Sequence, residues 1–364
     1  MKPLEVISSY PPHGETLWSF LETRARAAGD REFLVYAGSV MTYAEFARSV
    51  ERASAMYFAR GVRAGDRVGV MSENHPCIAI TFIALARLGA IMVPANPSFR
   101  REEASRLFAH SQVSGVLCSP EALAVVRSAC SGLIPVPWIM LSEPGPEPLP
   151  VFGQEIAAAP AQFPAPVGKP DSTCVLIYTS GTTGVPKGVM HSQRNVVLAG
   201  EAFVERMYLE PADRLLCILP LFHMNALFYS FAGAIAAGAA LILAPRFSAA
   251  AFWRTVADNG VTHTNTIAAV SNILMQRPRE EFVPAHRLRK IYGAPLSREI
   301  YRVFQSDFGV PTLIEGYGMS EIPGVLNNPF PGPHKMGSMG KPSLHPDHNR
   351  TFAEMRVADE QGRY

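Results

Sequence analysis

The sequence predicts an α/β fold, on three observations. Helix and strand signals alternate from residue 42 to residue 141, two long apolar runs each break at a glycine before a strand-like segment, and the composition is that of an ordinary globular chain. Of 364 residues, 48% are hydrophobic and 18% charged, and 33 Lys plus Arg against 31 Asp plus Glu leave a net charge of +2. A chain of this length buries about three quarters of its extended surface on folding, which excludes general disorder. Charge is spread without any block of one sign, so there is no electrostatic footprint for nucleic acid.

The elements follow in order. The N-terminal MKPLEVISSYPPHGETLWSF has neither the apolar core of a secretory signal nor an Arg/Ser-rich presequence, and a cytoplasmic address is expected. Thr42 to Glu45 reads as a capping box, with Phe46, Val50, Ala53 and Tyr57 at helical spacing and Gly61 closing the helix. A strand is predicted at Arg67 to Met71. Pro76 opens a helix that Arg87 interrupts, and Gly89 separates it from the strand-like AIMVPANP. Then come a helix near Arg101 to His110, a strand at Gly115 to Cys118, a helix at Glu121 to Ala129 and a strand at Pro137 to Leu141.

Eight prolines in the 27 residues from Pro144 to Pro170 exclude a continuous helix or a central strand, and a subdomain boundary is expected there. The 19 uncharged residues from Ala226 to Ala244 are long enough to cross a bilayer, but they are Ala- and Gly-rich and Gly238 punctuates them, so a buried helix followed by a strand is predicted. The five cysteines, Cys77, Cys118, Cys130, Cys174 and Cys217, lack any ligand spacing and read as buried thiols in a reducing compartment. No repeat of 20 to 50 residues occurs.

Chemistry concentrates after residue 170. The β-rich run TCVLIY (173–178) leads into Thr179-Ser180-Gly181-Thr182-Thr183-Gly184-Val185-Pro186-Lys187-Gly188, with His191 soon after. Three glycines let a backbone approach a ligand closely, four hydroxyls supply donors without bulk, and Lys187 adds a charge that can reach phosphate oxygens. The order is neither a Walker A loop nor GxGxxG, and the alternative reading is a flexible surface turn.

The string YTSGTTGVPKGV resembles the signature of the adenylate-forming superfamily of acyl-CoA synthetases, luciferases and peptide-synthetase adenylation domains. Further matches follow in the family's order: LPLFHMN at 219–225, YGAPLS at 292–297, EGYGMSE at 315–321 and GSMGKP at 337–342. TYAEFARSVERASAMYFARGVRAGDRVGVMSENHP and GAIMVPANP extend a looser resemblance towards the N-terminus. The flavour of LPLFHMNA, RFSAAAFW and THTNTIAAV is similar to crotonobetaine/carnitine–CoA ligase-like enzymes.

The resemblance implies a fold of two helix-covered β-sheets with a distorted β-barrel. It also implies a two-step reaction in which a carboxylate attacks the α-phosphorus of ATP to give acyl-AMP and pyrophosphate, after which the thiol of CoA takes the acyl group. Residues 1–170 are expected as a first α/β subdomain, 171–342 as the AMP-binding subdomain, and 343–364 as the start of a segment leading to a C-terminal lid. Because VADEQGRY ends the sequence where the family continues, the lid is expected to be absent and activity impaired. The alternatives are a nucleotide-binding or interaction protein without turnover, and a peptide-synthetase-type adenylation domain.

By the same resemblance, Thr179, Ser180, Gly181, Thr182, Thr183, Gly184 and Lys187 would cradle the β- and γ-phosphates. Ser320, where the family usually has Thr, would touch the α-phosphate, and Glu321 would coordinate Mg²⁺. The pair Ser320-Glu321 could alternatively be a helix cap. Gly293, Ala294 and Pro295 on one side, and Glu315, Gly316 and Tyr317 on the other, would hold adenine, with the Tyr317 ring stacking on it. His223 would line the junction of acyl and thiol sites, with Phe222, Asn225, Ala226, Phe228 and Met319 as walls. His345 and His348, with ligand-like spacing but no further ligand nearby, read as a solvated loop.

Overall fold

The computed structural model describes residues 1–179, 187–333 and 335–363. From the N-terminus the elements are α1 (Pro3–Ser8), α2 (Leu17–Ala28), β1 (Glu32–Tyr36), β2 (Ser39–Thr42), α3 (Tyr43–Ala59), β3 (Arg67–Met71), α4 (Pro76–Arg87), β4 (Ile91–Ala95), α5 (Arg101–Ser111), β5 (Gly115–Cys118), α6 (Leu123–Cys130), β6 (Trp138–Leu141) and α7 (Phe152–Ala157). Then follow β7 (Thr173–Thr179), β8 (Lys187–Ser192), α8 (Gln193–Met207), β9 (Arg214–Cys217), a π-helical stretch (Asn225–Phe231), α9 (Ala232–Ala237), β10 (Ala240–Leu243), α10 (Phe252–Asp258), β11 (His263–Asn265), α11 (Ala268–Met275), β12 (Lys290–Gly293), α12 (Arg298–Ser306), β13 (Thr312–Met319), β14 (Ile322–Asn327) and β15 (Lys341–Pro342).

The local signals act as anticipated. The Thr42 hydroxyl accepts from the Glu45 amide while Oε2 of Glu45 accepts from the Thr42 amide at 2.8 Å, which closes the capping box of α3. The strands expected at Arg67–Met71 and Gly115–Cys118 and the helix start at Pro76 fall on those residues. The Ala226–Ala244 run divides into the π-helical stretch, α9 and β10, with Gly238 at φ +67° making the break. No helix among the described residues is long and apolar enough to cross a membrane.

A six-stranded sheet has the order β6-β5-β3-β4-β7-β8 and is parallel except for β8. The larger, nine-stranded sheet runs β15-β14-β13-β12-β11-β9-β10-β1-β2. Its centre is parallel, and hairpins at the two ends make it antiparallel there. The chain passes between the sheets on both sides of residue 170: β1 pairs with β10, and β7 pairs with β4. The antiparallel β13–β15 run extends the larger sheet, and no separate closed barrel occurs among the described strands.

Alternation along the strands of the six-stranded sheet builds two cores. Val68, Val70, Met92 and Leu117 face the larger core shared with the nine-stranded sheet, while Met71, Val93, Val116 and Cys118 face α5 and α6. Helix α4, whose residues Cys77–Arg87 are all buried, sits in the shared core. All five cysteines are buried and free.

Two sequence readings need amendment. The proline-rich stretch contains the short helix α7, whose C-terminal carbonyls at Ile156 and Ala157 accept from the Arg52 guanidinium. His345 is not solvated: it is 2% exposed, and its Nε2 lies 2.8 Å from Glu201 on α8, whereas His348 is exposed as expected. The buried Glu201 carboxylate also receives His13 at 3.1 Å. A buried charge demands such partners, and this one ties segments near both ends of the described chain to α8.

Candidate active site

Strands β7 and β8 pair antiparallel, with Thr179 directly opposite Lys187, and form the two stems of the glycine- and hydroxyl-rich loop. Ser180, Gly181, Thr182, Thr183 and Gly184 lie outside the described residues. One stem is braced from behind: the Tyr178 hydroxyl is 2.7 Å from Nδ1 of His110 on α5. Lys187 is exposed at the mouth of the stems.

Ser320 and Glu321 form the turn between β13 and β14, with Met319 paired to Ile322. They are therefore not a helix cap. Glu321 is exposed and Ser320 is half-buried. This turn is joined to the loop stems by His191, near the end of β8, whose Nε2 stands 2.8 Å from the Ser320 carbonyl. A carbonyl only accepts, so Nε2 carries the proton, and Nδ1 is free to accept from the Asn195 amide at 2.7 Å. Burial lowers the His191 pKa despite the raising effects of the Ser320 bond and the Glu321 charge, which keeps the ring in this neutral tautomer. Phe228 packs edge-on to the ring at 4.9 Å.

The ends of β12 and β13 lie side by side, with Gly293 opposite Glu315. Oε1 of Glu315 accepts from the Leu296 amide at 3.0 Å, so one buried carboxylate holds the Gly293-Ala294-Pro295 segment against Glu315-Gly316-Tyr317. The glycines answer to the protein's own packing. A Cβ on Gly316 would stand 2.4 Å from the Tyr292 hydroxyl, and one on Gly293 would stand 2.8 Å from Leu296 and 2.9 Å from Thr266. Tyr317 is 38% exposed and offers an open ring face.

His223 lies at the surface beyond Pro220, its ring tilted 46° to that of Phe222 with centroids 4.4 Å apart. Its loop is stapled by Asn74, which is 3% exposed. Nδ2 of Asn74 donates to the carbonyls of Leu219 and Ala244, both at 3.0 Å, and Oδ1 accepts from the Leu221 amide at 2.7 Å. Of the five proposed walls, Phe222, Asn225 and Met319 expose surface. Ala226 and Phe228 are wholly buried and belong to the core.

Among the described residues no group of three or more His, Cys, Asp or Glu could hold a metal ion. The exposed carboxylate of Glu321 is of a kind that fits Mg²⁺, which commonly takes one or two protein carboxylates and completes its shell with phosphate oxygens and water. The groove of about 810 Å³ between the N-terminal residues and segment 341–349 is lined by none of these site residues.

The family description "AMP-binding enzyme" matches residues 21–364 of this sequence. The chain belongs to that family. Among AMP-binding relatives, a sulfoacetate–CoA ligase from Cupriavidus necator is 32% identical over 336 residues, covering 90% of this chain and 65% of that protein. A crotonobetaine/carnitine–CoA ligase from Escherichia coli is 30% identical over 322 residues, covering 85% of this chain and 62% of that protein. The chain thus spans a little under two thirds of the length of these relatives.

Solved structures share the architecture. The inhibitor-bound N-terminal domain of FACL13 from Mycobacterium tuberculosis matches with a TM-score of 0.77 at 25% identity, covering 85% of this chain and 77% of that one. The anthranilate–CoA ligase AuaEII in complex with anthranoyl-AMP matches with a TM-score of 0.88 over 100% of this chain and 69% of that one. At 22% identity this second likeness is one of fold.

The motifs read in one dimension do not name the residues that join them. His191 meets Ser320 across 129 positions of sequence, and Asn74 meets Leu221 across 147. The KGVMHS sequence of β8 has no clear alternation that would mark His191 as buried, and nothing local names its acceptor.

Proposed function

We propose that this chain is the nucleotide-binding part of an ATP-dependent acyl-CoA ligase acting on a small carboxylic acid. The observation that carries the reading is the bond from His191 to the Ser320 carbonyl. It sets the Ser320-Glu321 turn beside the stems of the anion-binding loop, as a site for one triphosphate requires. The relatives named as CoA ligases support the reaction class.

In this reading a carboxylate oxygen attacks the α-phosphorus of ATP, the bond to the bridging oxygen breaks, and pyrophosphate leaves. The sulfur of CoA then attacks the acyl carbon and AMP leaves. Adenylyl transfer depends on positioning and on charge neutralisation. Lys187 and the loop from Thr179 to Gly184 would hold the β- and γ-phosphates, and the Ser320 hydroxyl would donate to the α-phosphate. Mg²⁺, held by Glu321, would neutralise phosphate charge. Tyr317 would stack on adenine between the Gly293-Ala294-Pro295 and Glu315-Gly316 backbones, and His223 would border the entry of acyl group and thiol. Residues 1–170 and 171–342 would serve as supporting and nucleotide-binding units.

ATP–pyrophosphate exchange with a panel of short, aromatic and carnitine-like carboxylates, beside calorimetric titration of ATP with Mg²⁺, tests this. Carboxylate-dependent exchange would establish adenylation and name the substrate class. Binding without exchange would leave a nucleotide-binding protein, and absence of both would overturn the proposal.

A further inference from the structure

We infer that Arg206 is a positioning residue that fixes the Ser320-Glu321 turn relative to the strand β8 that carries Lys187. This rests on the proposed reading of Glu321 as the Mg²⁺ carboxylate. Arg206 lies near the end of α8 and is 1% exposed. It forms no ion pair among the described residues. Its guanidinium carbon instead sits 5.0 Å from the Tyr229 ring centroid, 5.3 Å from Tyr292 and 5.6 Å from Phe203. A charge so enclosed is tolerated through the faces of rings and through hydrogen bonds to carbonyls.

Its bond to a carbonyl goes to the site hairpin. Nη2 of Arg206 donates to the Gly324 carbonyl, and the Ser343 hydroxyl donates to the same oxygen. Gly324 has φ +56°, and a Cβ built there would lie 2.3 Å from Nη2 of Arg206, so the guanidinium occupies the space a side chain would need. On the other arm of the turn His191 holds the Ser320 carbonyl.

Glu321 is therefore bracketed by two pinned carbonyls, at 320 and 324, and both pins come from β8 and α8, which begin at Lys187. The rigid strand–helix unit that carries one stem of the loop thus sets where the Glu321 carboxylate stands. The outer support of a metal-holding carboxylate commonly changes metal affinity when removed.

The test is ATP titration of the whole chain across a range of Mg²⁺ concentrations, for the wild type, Arg206→Met, Arg206→Lys and Gly324→Ala. We expect Arg206→Met and Gly324→Ala to raise the Mg²⁺ midpoint roughly 10-fold or more, with a clearly smaller loss of Mg²⁺-free ATP affinity and Arg206→Lys intermediate. An unchanged midpoint in a folded variant overturns the inference, as does an equal loss of affinity with and without Mg²⁺. Should neither variant fold, amide hydrogen exchange of the wild type decides. Residues 322–326 protected like α8 support the bracket, and fast exchange there overturns it. Wild-type ATP binding without any Mg²⁺ dependence would overturn the Glu321 reading itself, and this inference with it.

Discussion

Nε2 of His191 donates to the carbonyl of Ser320 at 2.8 Å, and this bond joins the edge strand of the six-stranded sheet to a hairpin of the nine-stranded one. It connects two motifs that are separate in sequence and that the proposed function assigns to one ligand. His191→Phe keeps the packing on Phe228 and removes the donor. The orphaned carbonyl should cost about 1–3 kcal/mol of stability in denaturant melts, and ATP affinity should fall with it. Unchanged affinity would mean that the turn needs no tether.

Lys187 and Glu321 should separate by readout. Lys187→Ala removes an exposed charge and should weaken ATP binding by about 1 kcal/mol, roughly fivefold, in calorimetry. Glu321→Ala should mainly abolish the Mg²⁺ dependence of binding. A Glu321→Ala chain with wild-type Mg²⁺ dependence would contradict its assignment.

Acid should release the junction at Glu201. Burial alone would raise its pKa, but hydrogen bonds from His13 and His345 outweigh that and hold it at about 2. An unfolded glutamate titrates near 4.3, so this carboxylate contributes stability above that pH and loses it as pH falls towards 2. The contribution is about 3 kcal/mol at neutral pH. Glu201→Gln should melt lower than the wild type at pH 7, with the gap narrowing below pH 4. Parallel melting curves between pH 7 and pH 3 would refute this.

Asn74 satisfies three backbone groups of other segments with one side chain. Asn74→Ala leaves them unpaired in a dry site and should destabilise the chain by roughly 2–4 kcal/mol. The environment of His223 should change as well, visible as a shift of its ring resonances. A destabilised variant with unmoved His223 resonances would show that the staple does not reach the site.

Local chemistry was legible in the sequence. The Thr42–Glu45 capping box, the helix start at Pro76, the glycine break at 238 and the strand-length apolar runs depend on neighbours a few residues away, and each reappears in the fold. The glycine- and hydroxyl-rich run at 179–188 also stood out by its residue types, and the segments at 293–295 and 315–321 stood out by their resemblance to family motifs. His345 shows where this stops. The absence of any further ligand near His345 and His348 suggested a solvated loop, yet the partner of His345, Glu201, lies 144 positions away and buries it.

What the sequence alone determined is therefore the alternation of helices and strands, the family and the order of its motifs. What only the tertiary structure decided is which distant groups meet: His191 with Ser320, Arg206 with Gly324, Asn74 with the loop of His223. The physical reason is that caps, turns and periodicity are short-range, whereas a buried hydrogen bond is settled by where parallel strands from both halves of the chain come to lie.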